Sequence, residues 1–371
     1  MVNATDSSRS RASASIAFRV DSSPILGTGH LARCLIIGTI LAARGASVTF
    51  FCREEPGNAN ELALAKGFKV SPVNASLHQL NSADDATSQP LCQAIDALQT
   101  IALLPRKVDC VIVDHYACGT EWESAVRPHC RRLIVIDDLA RAHSCDLLID
   151  PNWHGPKTNA RYTGRLDSTT HLLIGPDYAL LHPAFEAHRV TPTDRRTNVK
   201  RVLVYFGGSD RQGLTSLVLT ALRRPEFAHL EVDVVIGATN PAGSLEVLQA
   251  VNSARFNIYT QQDSLATLLA HADLAIGAVG GTTWERMCLG VPSLTVIVAD
   301  NQTETANDLA EAGLIDLIGS ATEFTEEAFV AHLRDLLADP QRRQRMADGG
   351  QALVDGRGAE RVVDELFRLI A

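Results

Sequence analysis

No C-x-x-C pair occurs anywhere in the 371 residues, although eight cysteines do. A structural zinc site needs paired ligands at short spacing. The thiols of Cys34, Cys52, Cys92, Cys110, Cys118, Cys130, Cys145 and Cys288 therefore read as buried, unpaired groups of a reducing cytosol, and no metal is expected. Long apolar runs are missing too. None approaches the roughly 18 residues of a membrane span, which argues against membrane insertion. The opening Met1–Ser15 is rich in Ser, Ala and Arg and lacks an apolar stretch, so a disordered tail is expected there rather than a secretory signal. Positive charge is short: 34 Lys and Arg against 43 Asp and Glu give a net charge of -9. A nucleic-acid partner needs clustered cations and is excluded. Two familiar phosphate motifs are absent as well. No glycine loop runs into G-K-[ST], and no G-x-G-x-x-G follows the first strand of either half.

What is present is alternation. From Ile16 onward, short apolar strands alternate with longer helical patterns. The first half reads as strand 16–20, helix His30–Arg44, strands 47–52 and 69–73, a helix through Cys92–Leu104, strand 108–114, helix Glu121–Cys130, strand 133–136 and a short run at 147–149. Residues 151–170 break this rhythm, and the polar stretch Glu186–Lys200 reads as a linker. The rhythm restarts at Arg201 with strands at 201–206, 232–236, 257–260, 274–276 and 293–298. Strand–helix–strand repetition implies parallel sheets with helices on both faces. The expected architecture is α/β, with two Rossmann-like, doubly wound parallel-sheet domains facing a cleft. The expected boundaries are a tail at 1–15, a first domain at 16–190 and a second at 200–371.

Ligands of such sheets bind at the carboxyl ends of the strands, so the strand-end motifs carry the functional reading. In the second half these are Gly207-Gly208-Ser209-Asp210, Gly280-Gly281-Thr282-Thr283 with Glu285 one turn on, and Asp300-Asn301-Gln302. Paired glycines admit a ligand close to the backbone, and a helix start presents N–H groups to an anion. Glu285 suits ribose hydroxyls rather than phosphate. Gly207, Gly208, Gly281, Thr282, Thr283 and Glu285 together suggest a nucleoside diphosphate site. A Thr-x-x-Glu cap without any ligand would have the same spelling.

In the first half, "RVDSSPILGTGHLARC" places His30 directly after Gly27-Thr28-Gly29. The glycines permit a tight turn and close approach. A histidine at a helix N-terminus is disfavoured as imidazolium, which suits a general base. Asp21 and Asp114 are both placed to orient the ring or hold a sugar hydroxyl, and the choice between them stays open. Arg19 and Tyr116 join them as substrate contacts. His115 competes with His30 but lacks the glycines, and the pair Asp137-Asp138 reads as structural or substrate-lining.

The segments "RVDSSPILGTGHLARC", "VDCVIVDHYACG", "LIVIDDLA", "HSCDLLIDPN", "LIGPDYALLHPAF", "VYFGGSD" and "NQTETANDLAEAG" resemble, in order, the PseG family. These are UDP-2,4-diacetamido-2,4,6-trideoxy-β-L-altropyranose hydrolases of pseudaminic acid biosynthesis. The resemblance implies a GT-B-like fold, as in the lipid II synthase MurG. It also implies a UDP-sugar as the partner and cleavage of the sugar–UDP bond by inverting attack of water, without metal or cofactor. The family's catalytic histidine matches His30, and its tyrosine and asparagine match Tyr116 and Asn301. Its nucleotide-site acid matches Glu285. A cytoplasmic monomer is expected. A GT-B glycosyltransferase using a UDP-sugar donor is the alternative.

Overall fold

The structure, a computed structural model, describes residues 13–73, 89–105, 107–189, 198–237, 240, 255–260 and 262–371. The start of the expected tail and residues 190–197 of the expected linker lie outside the described residues. In the first half the strands are β1 (Ser15–Val20), β2 (Ser47–Cys52), β3 (Lys69–Pro72), β4 (Val108–Asp114), β5 (Cys130–Ile136), β6 (Leu147–Asp150) and β7 (His171–Ile174). They form one sheet in the order β3-β2-β1-β4-β5-β6-β7. In the second half, β8 (Arg201–Tyr205), β9 (Glu231–Ile236), β10 (Phe256–Thr260), β11 (Leu274–Ala278), β12 (Ser293–Ile297) and β13 (Asp316–Ser320) form another, ordered β10-β9-β8-β11-β12-β13. Every pairing is parallel. Two doubly wound parallel sheets are what the alternating pattern predicts, but the edge strands β7 and β13 were not marked by it.

Both strand orders reverse at their centres, between β1 and β4 and between β8 and β11. The crevice at such a reversal is where ligands of open α/β sheets bind. Central strands are apolar on both faces because helices cover both sides. Along β4, Cys110 and Ile112 point into one core with Phe18 and Leu31, while Val111 and Val113 point into the opposite one with Trp122. That period of two leaves Asp114, the last residue of the strand, level with Val20 of β1 at the rim of the crevice.

Local differences have local causes. The helix expected over Glu121–Cys130 is Thr120–Val126, followed by a 3-10 turn at Arg127–His129 that contains Pro128. Proline cannot continue the hydrogen-bond ladder, so Cys130 is free to open β5. The stretch expected as a linker begins with the helix Ala184–His188.

Packing also crosses the division between the halves. Ala179, Leu181 and Phe185 sit in the core under the second sheet. The final helix Gly358–Ile370, assigned by chain position to the second half, buries Val362, Val363, Leu366 and Ile370 in the core of the first. The two crossings touch where Gly358 lies against the backbone of Tyr178 and Ala179, leaving no room for a Cβ. No helix among the described residues is long and apolar enough to cross a membrane.

Candidate active site

The loop after β1 is closed by the Gly27 N–H, which donates to the Ser23 carbonyl at 2.8 Å. Gly27 holds φ +75°, a conformation that a side chain would strain. The helix Gly29–Ala43 follows, and His30 enters it as the second residue. Its Nδ1 lies 2.6 Å from Asp114 Oδ1. The open choice between carboxylates is thereby resolved in favour of Asp114. One turn along the helix, Arg33 reaches the same carboxylate. Its Nε donates to Asp114 Oδ2 at 2.6 Å and its Nη2 to Oδ1 at 2.6 Å, while Nη1 donates to Asp138 Oδ2 at 3.1 Å. Burial acts to raise the pKa of Asp114, but Arg33 and then His30 outweigh it and hold the carboxyl far below the ordinary range. Tyr116 stands edge-on to the His30 ring, centroids 4.6 Å apart. Burial and the Asp138 charge raise its phenol well above the usual value, so it acts as a neutral donor and acceptor.

Arg19 and Asp21 lie in a separate layer behind the loop. Arg19 is fully buried. It donates to Asp21 at 2.6 and 2.9 Å and to Asp96 at 3.0 and 2.6 Å. Asp21 also accepts from the Arg53 backbone and Nε, at 2.8 and 2.7 Å, and faces His115 Nε2 at 3.0 Å. With its donors taken up by the two carboxylates and, at 3.5 Å, by the Phe51 carbonyl, Arg19 has none left for a substrate. The expectation that these two residues contact the ligand is corrected: the pair props up the end of β1. His115 belongs to this network, and burial lowers its pKa. Asp137 is structural as well, accepting from Arg141 Nε at 2.8 Å and the Tyr162 hydroxyl at 2.9 Å.

In the second half, Gly280 opens the helix Gly281–Cys288, and its N–H donates to Thr283 Oγ1 at 3.1 Å. Thr283 is thus the capping residue, reaching back from the third helical position. Space around Gly281 is open, with nothing within 4 Å of where a Cβ would stand. Glu285 lies behind it with Oε2 buried and without a hydrogen-bond partner. Burial pushes its carboxyl up to about 7, against a lowering pull from Arg286. A buried carboxylate oxygen without a donor is costly, and a ligand hydroxyl would satisfy it. Gly237 lies against the carbonyls of Gly207 and Gly208, so the glycine loop after β8 packs on the end of β9 with no room for a Cβ.

The two halves meet at these loops. A Cβ on Gly208 would collide with Thr28 of the first-half glycine loop. Asn301 Nδ2 donates to the Tyr116 hydroxyl at 2.8 Å, and Gln302 reaches to within 3.6 Å of where a Gly280 Cβ would stand. His30, Tyr116, Asn301 and the Gly280–Gly281 helix start therefore form one continuous rim. Further out, His154 Nδ1 lies 2.8 Å from Asp308 Oδ2, and Arg161 Nη1 donates to Glu304 at 2.7 Å, clasping the irregular segment of the first half to the helix Thr303–Glu311 of the second. The residues not anticipated from sequence are Arg33, Asp96 and Arg53. Only Arg33 had a local signal, the three-residue spacing that stacks it on the His30 face of one helix.

Two doubly wound parallel sheets with a shared rim of strand-end loops define a GT-B glycosyltransferase-like fold. MurG of Acinetobacter baumannii has this architecture, matching 96% of this chain and 99% of its own with a TM-score of 0.64 at 16% sequence identity. No family model matches the chain. In sequence it is 30% identical over 258 residues to the spore coat polysaccharide biosynthesis protein SpsG of Bacillus subtilis (strain 168), covering 69% of this chain and 76% of that protein. The chain belongs to the SpsG family. It is also 21% identical over 301 residues to the UDP-2,4-diacetamido-2,4,6-trideoxy-beta-L-altropyranose hydrolase of Campylobacter jejuni, covering 80% of this chain and 97% of that protein.

Proposed function

We propose that this protein hydrolyses a UDP-linked diacetamido sugar of the kind named for the Campylobacter jejuni relative, releasing the free sugar and UDP by inverting attack of water at the anomeric carbon. The observation that carries this reading is the His30–Asp114 pair. With Nδ1 held to a buried, ionised carboxylate at 2.6 Å, the ring keeps its proton on Nδ1 and offers Nε2 as the base. Water attacks the anomeric carbon and passes its proton to Nε2. The bond from that carbon to the UDP oxygen breaks, and UDP leaves with the electron pair. The open helix start at Gly281 suits the leaving diphosphate. The unpartnered Glu285 oxygen suits a ribose hydroxyl. In this reading Tyr116 and Asn301, joined across the halves, hold the sugar between base and nucleotide.

A glycosyltransferase is the second reading. Ile25, on the loop between β1 and His30, is 59% exposed, and an apolar rim beside the base suits an acceptor other than water. Incubating the UDP-linked sugar in heavy-oxygen water, with the products read by mass spectrometry, separates the two. Label in the free sugar with unlabelled UDP is the expected result. Label in a phosphate product would mean cleavage at phosphorus and would overturn the mechanism. Turnover only after an acceptor alcohol is added would assign a transferase.

A further inference from the structure

The geometry points to Arg33 as the positioning residue that keeps His30 in its base form, by occupying both oxygens of Asp114 and setting a fixed positive charge beside the ring. This rests on the reading of His30 as the base. Arg33 Nη2 lies 3.1 Å from His30 Nδ1. If Nδ1 carries the proton donated to Asp114, the two nitrogens face each other as donors, and charging the ring would add a second cation at that distance. Without Arg33, a buried carboxylate 2.6 Å from an imidazole would draw a proton onto the ring. With Arg33 present, Asp114 is neutralised through two 2.6 Å contacts while still orienting the imidazole. The third contact, to Asp138 at 3.1 Å, anchors the guanidinium from the end of β5.

The charge count makes the effect large. His30 faces Asp114 from β4, Arg33 from its own helix and Tyr116 from the turn after β4; behind these, Cys34 touches Asp114, Asp138 from beyond β5 touches Arg33, and the Arg141 guanidinium lies 6.0 Å from the Tyr116 ring. Burial and Asp114 both keep Cys34 protonated, and Tyr116 is neutral. Within the group in direct contact with Arg33, the cation offsets one of two carboxylates. Removing it leaves both uncompensated around a partly enclosed imidazole.

The test uses the full chain with Arg33→Met and Arg33→Lys. The His30 ring is followed by carbon-13 histidine NMR without substrate, its signal assigned by its loss in His30→Asn. The pH profile of kcat/KM on the UDP-linked sugar is read in parallel. In Arg33→Met, the imidazole midpoint and the acid limb of the profile are expected to move up together by about one to two pH units. The rate at the alkaline plateau falls far less than the rate at pH 6. Arg33→Lys keeps the charge but cannot span both carboxylates, so it restores most of the pH position. Arg33→Gln, equally uncharged, provides the readout if the methionine variant does not fold, and the same upward movement is expected in it. Midpoints unchanged or lowered in the uncharged variant would overturn the proposal. A moved imidazole midpoint with an unmoved acid limb would uphold Arg33's control of the ring and overturn the role of His30 as base.

Discussion

Glu285 sits where its surroundings oppose its charge. Its carboxyl, ordinarily near 4.5, is pushed up to about 7 by burial. The fold thus favours the protonated form. That advantage is complete below about pH 4.5 and is lost as pH rises through 7. Glu285→Gln should therefore gain stability relative to the parent between pH 5 and pH 8, by about 1–3 kcal/mol at the upper end, read as a difference in denaturant midpoints. The same variant should bind UDP about 10- to 100-fold more weakly, since it lacks the charged acceptor; titration calorimetry checks this, and unchanged affinity would remove Glu285 from the nucleotide site. His30→Asn should behave in the opposite way, keeping UDP affinity while losing about 10²–10⁴-fold in turnover. Asp114→Asn should lose a comparable factor, because an amide can hold the ring in the wrong tautomer. Each drew notice in the sequence by lying at or within a turn of a strand end, near glycine or another turn residue. Arg19 was misread because a buried arginine and a substrate-binding arginine are spelled alike. Its partner Asp96 is 77 positions away, and nothing local announces that pairing. Arg33 was overlooked because its target is reached only after β1 and β4 are aligned.

At the scale of elements, the glycine loops after β1 and β8 lean on each other. Gly208 has no side chain because Thr28 fills that space. Gly208→Ala should push the loops apart, raising KM and lowering kcat together, and Thr28→Ala alone should be mild. The double variant should recover much of the loss, and a strictly additive pair would show that the contact does not set the cleft. Strand positions were readable because an enclosed parallel strand is a short apolar run. Helix ends were less so. The apolar spacing through Glu121–Cys130 continues past Val126, and only Pro128 reveals that the helix has already stopped. The clasp of His154 and Arg161 on the helix Thr303–Glu311 arises from a segment with almost no periodicity. Its partners are set by tertiary contact alone.

The whole molecule is tied together by exchange. Residues around Ala179–Phe185 complete the core of the second sheet, and Val362, Val363, Leu366 and Ile370 complete that of the first. Leu366→Ala should cost about 2–5 kcal/mol through the cavity it leaves. Hydrogen exchange should show β4 and β8 losing protection together, whereas independent losses would mean that the crossings do not couple the halves. Chain position suggested two blocks in series, and the alternating pattern could not indicate otherwise, because an amphipathic helix does not encode which sheet it covers. The consequence is one of timing. On the ribosome, the first sheet is synthesised some two hundred residues before the helix Gly358–Ile370 that covers it. The core under the helix Gly29–Ala43, with Leu31 and Leu35, must wait with one side uncovered until that later helix is made. A stalled or truncated message would release a polypeptide whose first domain is fully spelled out yet still lacks its last wall.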